Sequence, residues 1–138
     1  MTLKMKRIAI AAAAALLATA PAAMAQDKEQ KDITTMAAEA ADYLAGIIKL
    51  EDWQIYRVDS TFQYNFLHMT EEYNTVRRSG ASNADLYNKI TDRWYAACDS
   101  TFKSFFTPEQ WKKYLRTTYG KALRAREKRQ AAEAKKDK

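Results

Sequence analysis

The residue types that most often carry out chemistry are scarce in this chain. It contains one histidine, His68, and one cysteine, Cys98. Zinc sites, copper sites and nucleophilic triads normally draw on several imidazoles or thiolates, which two single residues rarely provide. Three glycines in the whole chain are also too few for a glycine-rich phosphate loop. We therefore expect no metal site, no cofactor and no enzymatic activity, and we interpret His68 as a partly buried or surface polar group.

Two carboxylates are the remaining candidates for acid–base chemistry. Asp59 and Asp99 each begin the tetrapeptide Asp-Ser-Thr-Phe, so they occupy equivalent positions in two similar segments. In a helical hairpin they would stand at similar heights, where two carboxyl groups can divide the roles of acid and base. The alternative is that Asp-Ser-Thr in the middle of a helix supplies polar or interhelical hydrogen bonds beside Phe62 and Phe102. We favour this structural interpretation.

The two similar segments are residues 49–66 and 89–106. They share seven identities in eighteen positions when they are aligned without a gap. Both segments place aromatic side chains at similar heights if they are helical. This pattern indicates an internal repeat that forms two long antiparallel arms of one bundle.

Hydrophobic spacing extends these segments into two long helices. Residues 52–78 repeat an apolar side chain every seven positions, which is typical of a seam against a partner helix. The seam residues are Ile55, Phe62, Met69 and Val76. Gly80 predicts a stop, and a third helix follows over residues 83–105. Its apolar side is formed by Leu86, Ile90, Trp94, Ala97, Thr101 and Phe105, with Tyr87, Cys98 and Phe102 beside them. So short a loop predicts an antiparallel pair that brings His68 near Trp94.

Two further helices flank this pair. Residues 33–50 are amphipathic, with apolar side chains at three- and four-residue steps. Later in the chain, Thr107 can cap a new helix, and Gln110 closes a capping box three residues on. Gly120 predicts a kink in this fourth helix. The sequence thus predicts an all-α fold: a four-helix antiparallel bundle with two long central helices and a basic C-terminal helix, whose end from about residue 124 is solvated.

The N-terminus has the pattern of an export signal. Three basic residues precede an Ala-rich apolar run, residues 8–20, which is followed by a proline and an Ala-Met-Ala cleavage pattern. We predict a cleaved signal peptide at residues 1–25, a single helical domain at residues 26–138, and a periplasmic location. One cysteine cannot form an internal disulfide, so we interpret Cys98 as a buried small hydrophobe, with an intermolecular disulfide as the alternative.

Positive charge is concentrated at the C-terminal end. Residues 26–111 carry nine Lys and Arg against fourteen Asp and Glu, whereas residues 112–138 carry eleven against three. The basic end can contact anionic lipid or lipopolysaccharide, or it can simply act as a solvated tail. We expect no nucleic acid partner, because the protein is predicted to be exported.

The core must be largely aromatic. Residues 26–138 contain all sixteen Trp, Tyr and Phe residues of the chain but only two valines. Eight of the sixteen are tyrosines, whose hydroxyls need a partner or water, so some should lie at edges and grooves. One interpretation is that they only line the core boundary; the other is that they form a surface for client proteins. The candidate client-binding aromatics are Tyr56, Tyr64, Tyr95, Trp111 and Tyr114.

One motif resembles that of a known family. Residues 106–110, Phe-Thr-Pro-Glu-Gln, are similar to the Leu-Thr-x-x-Gln box of the Spy/CpxP family of periplasmic helical proteins, which carry two such boxes. Residues 50–54, Leu-Glu-Asp-Trp-Gln, keep the Leu and the Gln at the same spacing but lack the Thr. The resemblance carries over Thr107 and Gln110 as capping residues. It implies a small helical envelope protein, often a dimer with a concave face, that acts as an ATP-independent chaperone or a stress-response modulator.

These observations predict a periplasmic helical binding protein. Its function would be that of an ATP-independent chaperone or envelope-stress modulator that binds apolar segments of unfolded or envelope proteins, and a homodimer is compatible with it. The alternative is a structural or accessory subunit that docks on one envelope partner through its seven-residue seam and exposed aromatics.

Overall fold

The structure, a computed structural model, describes residues 21–137. Contacts divide the chain into two units, residues 1–32 and residues 33–138, and the second unit holds the core and the sites described below. Within the described residues all regular structure is helical. The helices are α1 (Pro21–Ile47), α2 (Asp52–Arg78), α3 (Ala84–Phe105), α4 (Pro108–Tyr114) and α5 (Thr118–Lys136).

The helix boundaries match the prediction for α2 and differ from it at α1 and in the fourth helix. The first helix, predicted over residues 33–50, begins earlier and ends earlier, since α1 spans Pro21–Ile47. The described chain is all-α, as predicted, and α2 has the predicted bounds. Asn83 caps α3, because its side chain accepts a hydrogen bond from the amide of Asp85 at 2.9 Å. The fourth helix predicted from the sequence is instead two helices, α4 and α5, which are separated at residues 115–117.

The predicted export signal falls mostly outside the part of the chain that is described. Residues 1–20 are not described, so the signal peptide and the periplasmic location stay predictions. Among the helices of residues 21–137, none combines the length and the apolar character that crossing a lipid bilayer requires.

Helices α2 and α3 form an antiparallel hairpin. Gly80 in the connecting turn has a φ of +80°, a conformation that residues with a side chain rarely adopt. Paired rings, with the distance between their centroids, are Tyr73 with Tyr87 at 5.7 Å, His68 with Trp94 at 5.5 Å and Phe62 with Phe102 at 5.1 Å. Residue numbers fall along α2 as they rise along α3, so the helices are antiparallel. The predicted proximity of His68 and Trp94 is confirmed.

The core lies between α1 and the hairpin and extends to α4. On the α1 side the buried residues are small or aliphatic: Ile33, Ala37, Ala40, Ala41, Leu44 and Ile48. The hairpin contributes Val58, Phe62, Phe66, Met69, Ile90, Cys98 and Phe102. Phe62 and Phe102 are fully buried and meet edge to face, a geometry that contributes about 0.5–1.5 kcal/mol beyond the burial of their area. The centre of the core is therefore aromatic, and alanines let α1 approach it closely.

A pair of glutamines closes the end of the hairpin opposite the turn. Gln54 in α2 and Gln110 in α4 exchange hydrogen bonds, since the Nε2 of each donates to the Oε1 of the other at 2.8 and 2.9 Å. Gln54 Nε2 also donates to the Phe105 carbonyl at 3.3 Å, and Gln110 Nε2 donates to the Lys49 carbonyl at 2.9 Å. We call this arrangement the glutamine clasp.

Each glutamine of the clasp also belongs to the start of its own helix. Gln110 Oε1 accepts from the amide of Thr107 at 2.9 Å, and Thr107 Oγ1 accepts from the amide of Gln110 at 3.2 Å, which forms a capping box. At the start of α2, Gln54 Oε1 accepts from the amide of Glu51 at 2.9 Å. The clasp therefore links the starts of α2 and α4, the two places where the sequence has a box-like motif.

Helices α4 and α5 meet at a bend that requires a glycine. Thr117 caps α5, because its hydroxyl accepts from the amide of Gly120 at 3.3 Å. A Cβ on Gly120 would lie 2.3 Å from Leu115 Cα and 2.4 Å from the Tyr114 carbonyl oxygen. The predicted kink is thus a break between two helices, and Gly120 permits the close approach of the two backbones.

Helix α5 is not wholly solvated, which corrects the prediction for the chain from about residue 124. Arg126 is buried, and the Nη2 of Arg129 contacts both carboxylate oxygens of Asp92 in α3 at 2.8 Å. The hydrophobic spacing of α5 does not predict these contacts, because Arg126 and Arg129 are charged and their partners lie on α3. The rest of α5 beyond residue 126 is exposed.

Candidate functional site

The outer side of the hairpin carries the most exposed large aromatic side chains of the described residues. The exposed fraction is 49% for Trp53, 73% for Tyr56 and 60% for Tyr64. Trp94 and Phe105 lie half-buried beside them on α3. We call these five residues the aromatic face. It is formed by two helices that the turn and the glutamine clasp hold together.

Ring contacts connect the aromatic face across the two helices. Trp53 lies 5.9 Å from Phe105, and Tyr64 lies 6.5 Å from Trp94, measured between ring centroids. The indole Nε1 of Trp53 donates to the Glu51 carboxylate at 2.6 Å. These contacts position the rings while Trp53 and Tyr64 stay largely exposed to solvent, as a preformed binding surface requires.

A shallow cleft of about 460 Å³ is lined in part by Tyr56 and Tyr64 of the aromatic face. Its lining comprises Tyr56, Arg57, Ser60, Thr61, Tyr64 and Asn65 of α2 and Thr101 of α3. The guanidinium carbon of Arg57 lies 4.9 Å from the centroid of the Phe105 ring, which is a cation–π contact. A lining that combines hydroxyl and amide groups with tyrosine rings suits a peptide segment, which presents both polar backbone and apolar side chains.

Trp94 in the aromatic face has a buried polar group that makes no hydrogen bond within residues 21–137. Its indole N–H is buried and has no hydrogen-bond partner among the described residues. The ring stacks on His68, with 19° between the ring planes, and His68 Nδ1 lies 3.0 Å from a Glu71 carboxylate oxygen. Burial of an N–H without an acceptor costs about 1–3 kcal/mol, so the middle of the hairpin is locally weakened.

The five predicted client-binding aromatics do not form one surface. Tyr56 and Tyr64 lie in the aromatic face. Tyr95 is half-buried and packs on Tyr119 at the start of α5, and Trp111 is half-buried in α4. The prediction for Tyr114 is wrong, because its side chain is fully buried and cannot contact a client.

Tyr114 is buried because its hydroxyl has a charged acceptor in the interior. The hydroxyl donates to Asp99 Oδ1, and the guanidinium of Arg126 donates to Asp99 Oδ2. The side chains of Asp99 and Arg126 are only 7% and 8% exposed. We call these three residues the Asp99 cluster. They come from α3, α4 and α5, so the cluster fixes these three helices relative to one another.

Burial dominates the acid–base properties of the Asp99 cluster. Loss of hydration raises the pKa of Asp99, and the hydrogen bonds from Tyr114 and Arg126 offset this only in part. Burial and the neighbouring carboxylate also raise the pKa of Tyr114. Both carboxylate oxygens of Asp99 are occupied by donors from other helices, which fits the structural interpretation of this aspartate.

Asp59 and Cys98, the other residues considered for chemistry, have contacts that fit a structural role. Asp59 accepts a hydrogen bond from Gln63 of its own helix at 3.2 Å. Cys98 is free and buried, and burial raises the pKa of its thiol to about 12. Within the part of the chain that the structure describes, no group of three or more His, Cys, Asp or Glu is arranged to hold a metal ion.

Two residues that matter for these sites were missed in the sequence. Trp53 belongs to the aromatic face, and its spacing to Tyr56 and Tyr64 at three and eleven residues was the available signal. Arg126 was assigned to the solvated tail. Its position three residues after Leu123 and seven after Tyr119 places it on the half-buried side of α5. This spacing was not used, because a charged residue is normally expected at the surface.

Comparison with known proteins identifies no relative. No protein-family model matches the chain, no curated protein matches it, and no solved structure matches it. Kinship with the Spy/CpxP family is therefore a proposal. The function has to be argued from the aromatic face, the glutamine clasp and the distribution of charge.

Proposed function

We propose that the protein is an ATP-independent binding protein of the cell envelope that shields apolar segments of unfolded or envelope proteins on its aromatic face. The observation that carries this proposal is the exposure of Trp53, Tyr56 and Tyr64 on one side of the hairpin. Several exposed rings on one side of a helix pair are typical of protein-binding surfaces. Trp and Tyr supply large contact area at low conformational cost, and their polar tips tolerate varied client sequences.

Two further features support the proposal. The clasp between Gln54 and Gln110 supports the idea that residues 50–54 and 106–110 are the two boxes of a Spy/CpxP-like protein. In that arrangement α1, α2, α3 and the α4–α5 segment act as the arms of an antiparallel four-helix bundle. The basic residues of α5 would attract acidic clients, anionic lipid or lipopolysaccharide over longer distances.

Suppression of aggregation tests the proposed function. We expect the protein, without ATP, to reduce light scattering by a heat-unfolded model enzyme at a near-equimolar ratio. The triple variant Trp53→Ala, Tyr56→Ala, Tyr64→Ala should lose most of this effect, because it removes the exposed rings and leaves the core intact. The matched control is Met36→Ala with Ile47→Ala, which removes exposed apolar side chains from α1 and should keep the effect.

Two results would contradict the proposal. One is the absence of any effect of the natural protein at several-fold excess over the client. The other is full activity of the triple variant, since the aromatic face would then have no part in binding. Circular dichroism of each variant verifies that the helices are retained.

A second candidate function is that of an accessory subunit docked on one envelope partner. It is favoured by a separate stripe on α1, where Met36, Tyr43 and Ile47 are 49%, 39% and 46% exposed at spacings of seven and four residues. Such spacing is typical of a helix-docking seam. Cross-linking in envelope extracts separates the two candidates, because a subunit gives one partner and a chaperone gives many. Loss of that single cross-link in Met36→Ala, Ile47→Ala would favour the subunit.

A further inference from the structure

A second concave site lies between α3, α4 and α5 and shares no lining residue with the aromatic face. It is a groove of about 430 Å³, which is within the range of about 300–1,000 Å³ that is typical of small-molecule sites. Along α3 the lining residues follow one side of the helix, and they are Ala96, Asp99, Ser100 and Lys103. The facing wall is built from Trp111, Leu115, Leu123, Arg124, Arg126, Glu127 and Gln130. Asp99 and Arg126, two members of the Asp99 cluster, belong to this lining, and their ion pair joins the α3 side of the groove to the α5 side.

One part of the groove is apolar. Trp111, Leu115 and Leu123 are half-buried, and they line the groove together. The Trp111 ring is stacked on Tyr114 with 5.1 Å between the centroids and 19° between the planes, so its orientation is fixed by a buried neighbour. Removing this apolar surface from water is favourable, at roughly 25 cal/mol per Å², and an alkyl chain has the shape to cover it.

Another part of the groove carries positive charge without a partner. Lys103 and Arg124 are exposed, and neither forms an ion pair with any residue that the structure describes. The ammonium of Lys103 lies 5.6 Å from the centroid of the Trp111 ring, so charge and apolar surface are adjacent. Asp99 is engaged within its own cluster, which leaves Glu127 as the one lining carboxylate without an ion-pair partner among the described residues.

The surrounding charge also favours an anion. Residues 108–136, which contain α4 and α5, carry ten Lys and Arg against three Asp and Glu. The summed field of these residues attracts negatively charged ligands toward this side of the molecule. Two cations that line the groove together with apolar side chains favour an anion that has an apolar body, because the charged and the apolar part of such a ligand each meet a complementary lining.

We propose that the groove binds the anion of a medium-chain fatty acid. The alkyl chain lies along Trp111, Leu115 and Leu123, and the carboxylate lies between Lys103 and Arg124. This inference is independent of the proposed client binding, because the groove and the aromatic face have no residue in common.

Fluorescence of Trp111 tests the proposal directly. In the full chain carrying Trp53→Phe and Trp94→Phe, Trp111 is the sole tryptophan. Decanoate, titrated below its critical micelle concentration, should change the emission saturably. Acetate lacks the chain and decyltrimethylammonium has the opposite charge, so neither should reproduce the change. Calorimetric titration of decanoate into the unaltered chain gives a second measurement that does not depend on these substitutions.

Charge variants locate the site. Lys103→Glu with Arg124→Glu should weaken decanoate binding about tenfold or more, because both charged partners of the carboxylate are lost. The matched control, Lys112→Glu with Lys113→Glu, makes the same change in net charge at exposed positions that do not line the groove, and it should change the affinity less than about threefold. Equal weakening by both pairs would overturn the proposal, as would equal binding of the cationic surfactant or the absence of saturable binding of decanoate.

Discussion

At the scale of single residues, Asp99 is the polar group on which the packing of three helices depends. It is buried, and its two oxygens accept from Tyr114 and Arg126. A buried ion pair adds little net stability compared with apolar residues of the same size, but removing one partner leaves a buried charge without compensation. The contribution of the cluster to stability should therefore be largest in a variant that removes one partner and keeps the other.

The first prediction at this scale concerns Arg126. Arg126→Met should lower the free energy of unfolding by about 3–5 kcal/mol, because the Asp99 carboxylate stays buried without its counter-charge. Adding Asp99→Asn should restore part of the loss, since the amide carries no charge and still accepts from Tyr114. Urea unfolding followed by circular dichroism measures both changes.

Arg129 provides the matched control for this prediction. Its ion pair with Asp92 is exposed, at 56% and 31% of the two side chains, so Arg129→Met should cost less than about 1 kcal/mol. If Arg126→Met costs no more than Arg129→Met, the buried cluster does not hold the helices together.

At the scale of elements, the bounds of α2 and the start of α4 were easier to predict than the side that a helix buries, whereas the start of α1 was missed. The bounds of α2 and the start of α4 follow from local signals, namely a seven-residue repeat and the Thr107 capping box. The apolar side predicted for α3 is only partly the buried one. Ile90 is buried as predicted, but Trp94 and Phe105 are half-buried at the aromatic face. Cys98 and Phe102, which were predicted beside that side, are the residues buried in the core. The pattern of one helix does not tell which neighbour covers which side.

The residues of the candidate site were also predicted only in part from the sequence. Tyr56 and Tyr64 were identified correctly as exposed rings, because tyrosine tolerates a surface position and both lie on one helix. Tyr114 was not predictable in this way. Its burial depends on Asp99 and Arg126, which lie 15 and 12 residues away in the chain and meet it only in the folded state.

A prediction at the scale of elements concerns the two glycines in helices. Gly120→Ala should lower the free energy of unfolding by about 1–3 kcal/mol, because its Cβ would overlap the backbone at Leu115 and force α4 and α5 apart. Gly46→Ala should raise it by about 0.5–1 kcal/mol, since no atom beyond its chain neighbours and the adjacent backbone of its own helix lies within 4 Å of the new Cβ and alanine favours the helix. Thermal unfolding of the two variants measures both signs. Destabilisation of similar size in both would contradict the close approach at the bend.

At the scale of the whole molecule, the protein is expected to lose stability in alkaline solution. Burial raises the pKa of Cys98 and of Tyr119 to about 12, from ordinary values of 9.0 and 10.0. Between these limits the folded chain keeps protons that the unfolded chain has lost. The stabilisation is thus complete below about pH 9 and is lost progressively as the pH rises toward about 12, at about 1.4 kcal/mol per pH unit for the buried Cys98 thiol. The half-buried Tyr119 adds a smaller loss above about pH 10, because solvent screens its hydroxyl.

Cys98→Ala tests this pH dependence. The variant lacks one buried proton, so its free energy of unfolding should fall less steeply than that of the natural chain above about pH 9, by about 1.4 kcal/mol per pH unit. Urea unfolding at a series of pH values gives both slopes, and the comparison cancels the titration of the lysines. Identical slopes would mean that the thiol is not shielded from water in the folded state.

The glutamine clasp determines how much α2 and α3 can splay. The chain itself joins them at Gly80. At the opposite end Gln54 donates to the Phe105 carbonyl of α3, and its hydrogen bonds with Gln110 attach α2 to α4, which directly follows α3. Attachment at both ends restricts changes in the spacing between the outer rings. A segment that binds there has to adapt its own conformation to that spacing, so the entropic cost of ordering falls on the partner and not on this protein.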